Sequence, residues 1–131
     1  MLLYIDTTFN DKIQIALFSK KKNSYLLLSL KEISANRQQS EKLLPGIINL
    51  LKKNSCDFKD LKMIAVSNEG GSFTSLRIGV VTANALAYAL GIKVRAAILK
   101  NKEIIFKEKG IIKINKHEIV EAIYNKEPSV T

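Results

Sequence analysis

Residues 63–97 read MIAVSNEGGSFTSLRIGVVTANALAYALGIKVRAA, and this run decides the fold class. Met63 to Val66 is a short apolar strand, and Asn68 to Thr74 is a loop with two adjacent glycines. Leu76 to Leu90 keeps apolar residues at helical spacing and is closed by Gly91, after which Ile92 to Ala97 is a strand again. A strand, a helix and a strand joined this closely make a right-handed crossover between parallel neighbours. The class is α/β.

The helix inside that unit has two unequal sides. Leu76, Val80, Ala83, Ala87 and Leu90 line the side expected on the sheet. On the other side Thr74, Arg77, Val81, Asn84 and Tyr88 recur at spacings of three and four, a stripe of small, aromatic and hydrogen-bonding groups. Between Ser72 and Leu90 there is no acid and a single base, in a chain that is 25% charged. A helix that avoids charge all round expects cover on both sides. The first helix of the chain or another subunit could supply it.

Upstream, Leu2 to Asp6 and Ile13, Ile15, Leu17 read as two strands around the turn Phe9-Asn10-Asp11, and Tyr25 to Leu30 as a third after the turn Lys20 to Asn23. Short connections make these an antiparallel meander. From Ser40 to about Asn54 the pattern is helical, with Leu43, Ile47, Leu50 and Leu44, Ile48, Leu51 as its two apolar rows and Pro45 bending its early turns. The order is therefore βββαβαβ, with a mixed five-stranded sheet. Downstream, Glu103 to Phe106 and Ile111 to Ile114 read as a last hairpin, followed by an amphipathic piece from Lys116 to Tyr124. The boundaries that result are a lobe over 1–97 and a short C-terminal hairpin and helix tail over 98–131.

Asp6, Gly70, Gly71, Ser72 and Thr74 are the candidate anion-binding residues. Glycines let a ligand approach, and a helix start favours negative charge. The loop has neither the lysine of a P-loop nor the spacing of a dinucleotide fingerprint, and it also fits a tight turn that needs glycine for its backbone angles. Asp6 could position a water, metal or phosphate, or cap its own turn. The only histidine, His117, has no recognisable partner, so no catalytic residue is proposed, and no cofactor. Cys56 is alone, which leaves neither an internal disulfide nor a zinc site.

The chain has 131 residues and a net charge of +9, spread evenly: residues 1–60 hold 10 bases and 6 acids, residues 61–131 hold 11 and 6. Contact with RNA and a lysine-rich codon bias both account for it. No apolar run approaches the ~20 residues of a membrane span, and the start lacks the pattern of a signal peptide, so a cytoplasmic location without membrane attachment is expected.

Four segments then carry a resemblance: Tyr4-Ile5-Asp6-Thr7-Thr8, Gln39 to Pro45, Gly71 to Val80 and Leu90 to Val94. Together they resemble the TsaB (YeaZ-like) subunit of the bacterial machinery for tRNA threonylcarbamoyladenosine. Glu69-Gly70 stands where that family has Gly-Pro, Ser75 replaces a glycine and Gln39 a common histidine. Tyr124 to Ser129 looks like the family's closing segment. The resemblance implies an actin-like, ribonuclease H-like lobe and a non-catalytic assembly subunit. Its partners would be a TsaD-type transferase and a TsaE-type ATPase, with tRNA met indirectly through the complex. Leu44, Ile48, Thr74, Arg77, Val81, Asn84 and Tyr88 would form the pairing surface, which closes a homodimer when the partner is absent. Two other classes remain open: a small ATP-binding phosphotransferase or hydrolase, and a direct RNA-binding module.

Overall fold

A computed structural model describes residues 1–114 and 116–124. Tyr124 apart, the closing segment named above lies outside the described residues. The elements are β1 (Leu2–Asp6), β2 (Lys12–Lys21), β3 (Ser24–Ser34), α1 (Gln39–Lys53), β4 (Met63–Val66), α2 (Phe73–Leu90), β5 (Lys93–Lys100), β6 (Glu103–Lys107), β7 (Ile111–Ile114) and β8 (His117–Val120). A single 3-10 turn, Phe58–Asp60, precedes β4; the Asp57 carboxylate accepts from the amide of Lys59, and that of Asp60 from the amide of Asp57.

Six strands form one mixed sheet in the order β3-β2-β1-β4-β5-β6. β1 lies inside it, antiparallel to β2 and parallel to β4, and all five of its residues are buried. This explains the unbroken apolar reading of Leu2 to Ile5: a strand covered on both faces needs no polar alternation. On one face Leu3, Ile5, Ile13, Ile15, Ile64 and Val66 pack under Leu43, Ile47 and Leu50 of α1 and Leu76, Val80 and Ala83 of α2. Leu2, Tyr4, Ala16, Phe18, Ala65 and Ala97 form a second buried cluster on the opposite face.

Among the described residues no helix lies over that opposite face. The sheet instead curls, with a register shift between Leu17 and Phe18, until its two edge strands meet. Tyr25 of β3 and Phe106 of β6 touch edge to face, with ring centres 5.7 Å apart.

α2 begins at Phe73, three residues before the expected Leu76, because Ser72 caps it by accepting the amide of Ser75 at 3.1 Å. Gly91, at φ 66°, ends it in the left-handed conformation that glycine adopts without strain. By length and mean hydropathy, 1.2, α2 would pass for a membrane-crossing helix, yet it lies along the sheet with Leu76, Val80, Ala83 and Ala87 buried. Pro45 sits within α1 on an exposed position, where its missing N–H leaves the Glu41 carbonyl to solvent.

Two expectations need correction. The sheet has six strands, since β5 runs on to Lys100 and turns through Asn101 and Lys102 to pair with β6. Both turn residues have positive φ, 52° and 64°, the backbone of a two-residue hairpin turn usually written Asn-Gly. Lysine in the second place hid it. Glu103 to Phe106 and Ile111 to Ile114 are consequently not a hairpin with each other: β7 pairs with β8, so Lys116 to Tyr124 contains a strand and no helix.

Candidate functional site

The end of β1, the loop after β4 and the start of α2 converge on one place. Asp6 is buried, and its Oδ1 accepts the amide of Thr8 at 2.8 Å and the Thr8 hydroxyl at 2.6 Å. Its Oδ2 accepts the Tyr4 hydroxyl at 3.2 Å. The carboxylate thus closes the turn that follows β1. Burial, and then the negative charge of Asp6, raise the Tyr4 phenol above its ordinary value.

Thr7, fully buried, reaches in the other direction. Its hydroxyl donates to the carbonyl of Ser75 and accepts the amide of Gly79 at 3.0 Å. Gly71 and Gly79 are the glycines that this convergence requires. A Cβ on Gly71, at φ 75°, would run into the backbone of Thr8, and one on Gly79 would stand 2.5 Å from the Thr7 hydroxyl. Gly70, at φ 98°, faces open space.

Ser72 is committed to its cap, accepting the Ser75 amide with its Oγ 2.6 Å from that of Ser75. The buried Gln39 donates from its amide to the carbonyls of Phe9 (3.4 Å) and Asn10 (3.2 Å), which ties the β1–β2 turn to the start of α1. The two helix starts therefore border a single polar cleft, lined among others by Asn10, Arg37, Gln39, Ser40, Ser72 and Thr74. Such a cleft offers backbone amides and one guanidinium to an anion. Arg37, at φ 59°, was not singled out from the sequence; its place two residues before the helix start at Gln39 was the available signal. Among the described residues no group of three or more His, Cys, Asp or Glu side chains could hold a metal.

The stripe on α2 divides. Val81 is 60% exposed, and Thr74 and Arg77 are exposed beside it, with the Arg77 guanidinium 5.6 Å from the centre of the Phe73 ring. Leu44 and Ile48 are exposed on α1, and helical spacing puts them in the row of Ser40, which borders the same groove as Phe73, Ile78 and Val81. Asn84 is different: its side chain donates to the carbonyl of Val120 at 2.7 Å and accepts the Val120 amide at 2.9 Å. Cover over that part of α2 comes from the chain's own β8, a role that no pattern in residues 117–120 announced. Tyr88 lies beside His117, ring centres 5.9 Å apart.

Asn68 fastens the rest of the tail. It is buried, its side chain donates to the carbonyls of Lys109 (3.1 Å) and Glu121 (2.9 Å), and its own carbonyl accepts the Ile123 amide at 2.7 Å. Glu69 bridges Ile123 in parallel fashion and pairs at 3.8 Å with Lys109. Tyr124 stacks on Phe73, ring centres 4.3 Å apart. The loop expected to meet a ligand thus holds the tail through residues 68, 69 and 73.

Comparison with known proteins agrees with this architecture. The family model for TsaD, tRNA N6-adenosine threonylcarbamoyltransferase, matches residues 32–97. Over 94 residues the chain is 32% identical to the tRNA threonylcarbamoyladenosine biosynthesis protein TsaB of Buchnera aphidicola subsp. Schizaphis graminum (strain Sg), covering 72% of this chain and 42% of that one. Over 109 residues it is 30% identical to the TsaB of Buchnera aphidicola subsp. Acyrthosiphon pisum (strain APS), covering 83% and 47%. The chain spans less than half the length of these relatives. Among solved structures, YeaZ from Pseudomonas aeruginosa superimposes with a TM-score of 0.62 at 19% identity, covering 97% of this chain and 70% of that one. The shared fold is the actin-like, ribonuclease H-like one.

Proposed function

Because this chain belongs to the TsaD, tRNA N6-adenosine threonylcarbamoyltransferase, family and is TsaB-like within it, we propose that it is a non-catalytic assembly subunit in threonylcarbamoyladenosine biosynthesis. In this reading it pairs in the cytoplasm with a TsaD-type transferase, which a TsaE-type ATPase joins, and the product adenosine lies beside the tRNA anticodon. Alone, the chain pairs with a second copy of itself.

The observation that carries the reading is the apolar face that α1 and α2 leave open. Leu44, Ile48, Phe73 and Val81 are between 37% and 60% exposed on two neighbouring helices, of which α2 carries Arg77 as its one charge and α1 carries Glu41, Lys42, Lys52 and Lys53. Large side chains in that state on adjacent elements mark a surface that another protein covers. Asp6 and Ser72 are engaged in their own turn and cap, which fits a supporting subunit better than a phosphotransferase. Co-purification with a TsaD-type protein tests the pairing, and nucleoside analysis of tRNA from cells lacking this chain tests the role. A chain that stays monomeric beside that protein at micromolar concentration overturns the first, and unchanged threonylcarbamoyladenosine overturns the second.

A further inference from the structure

We propose that the groove between the β7–β8 hairpin and the C-terminal end of α2 binds an RNA strand directly. Lys62 and Lys93 stand at one end of the sheet, since Met63 and Lys93 are register neighbours in β4 and β5. The hairpin brings Lys113 and Lys116 to the same groove. Its one acid, Glu118, faces Lys113 across the hairpin. Among the described residues no ion pair uses any of the four lysines. This is where an evenly spread net charge becomes a local one.

Charge alone would serve an acidic protein segment equally well. Tyr88 favours RNA: it is 77% exposed, braced against His117, and it stands in the wall of the lysine groove. An unpaired base stacks on such a ring while the ammonium groups follow the backbone phosphates. The β8 contacts of Asn84 hold the hairpin, and with it Lys113 and Lys116, against α2. The groove does not depend on pairing with a TsaD-type subunit; only the use of tRNA as one of the probes rests on the function proposed above.

The full chain is titrated with a short unstructured RNA and with bulk tRNA, by fluorescence anisotropy, at about 50 and about 200 mM salt. Expected are steep salt dependence for the parent and, for Lys113→Glu/Lys116→Glu, affinity about tenfold weaker with a salt slope smaller by about 2. Tyr88→Leu weakens the unstructured RNA while leaving the slope in place. Lys21→Glu/Lys22→Glu, in the β2–β3 turn, serves as a charge-matched control and should stay near the parent. Equal losses in groove and control variants, or groove variants that bind as the parent does, overturn the proposal. So does displacement of the RNA by polyglutamate at equal charge concentration, which would make the groove a seat for an acidic protein segment. Binding is read on the isolated chain, so failure to pair with a TsaD-type subunit leaves this result standing.

Discussion

The hydroxyl of Thr7 is inserted into the hydrogen-bond ladder of α2, where it accepts the amide of Gly79 and donates to the carbonyl of Ser75. Those two backbone groups are the ones an uninterrupted helix pairs with each other. The end of β1 is thereby stitched to the helix one turn after its cap, at a point where only glycine leaves room for the threonine.

Gly79→Ala should therefore destabilise. An exposed helical glycine gains roughly 1 kcal/mol on becoming alanine, but here the new Cβ would stand 2.5 Å from the Thr7 hydroxyl. Overpacking of this kind costs about 1–3 kcal/mol. Urea unfolding measures it, and Thr7→Ala in the same chain should recover part of the loss. Strictly additive single and double variants would show that the two residues do not oppose each other.

Tyr4 makes stability fall at high pH. A phenol raised by burial and by Asp6 keeps its proton in the native state, whereas the unfolded chain loses it near its ordinary value of about 10. Its contribution is complete below that pH and declines above it, by at most about 1.4 kcal/mol per pH unit. Unfolding of the parent and of Tyr4→Phe between about pH 8 and 11 compares the two, and the variant should decline less steeply. Parallel curves would remove Tyr4 as the cause.

Asn84→Ala should loosen the tail and spare the lobe. The variant removes both hydrogen bonds to Val120, so amides of β7 and β8 should exchange faster while those of β1 and β4 keep their protection. Hydrogen-exchange mass spectrometry reads this directly. Uniform acceleration across the chain would instead place Asn84 in the global core.

Val81→Glu and Arg77→Lys probe the open helix face. At 60% exposure Val81 accepts glutamate without loss of fold, yet an interface over it would bury an unpaired carboxylate. Pairing with a TsaD-type subunit should vanish in the first variant. In the second it should weaken severalfold, because lysine lacks the planar fork of donors, while the melting temperature stays within about one or two degrees. Retained pairing in both variants would move the interface elsewhere.

How far the sequence could be read followed the range of the interactions involved. The unit over residues 63–97 was legible because its signals are local: apolar periodicity and the closing Gly91. Asp6 could be read two ways, and its bonds to Thr8 are again local. The β5–β6 turn was obscured because Lys102 adopts a positive φ that glycine usually supplies. β8 was missed for another reason: four residues, His117 to Val120, are too few to show a period, and Asn84 and Asn68, which fix the tail, lie 36 and 53 residues before their carbonyl partners Val120 and Glu121.

The meeting of Tyr25 with Phe106 also sets an order of events during synthesis. The β2–β3 ribbon is made early and forms from neighbours in the chain, yet the strand against which its outer edge closes, β6, leaves the ribosome some eighty residues later. Until then Tyr25 and Leu27, which pack beside Phe106 against the second buried cluster, lack that cover on an edge that another nascent copy could extend. Arrested chains ending before Glu103 should therefore need a holding chaperone, and chains that include Lys107 should release it, a difference that capture of the chaperone on stalled ribosomes would reveal.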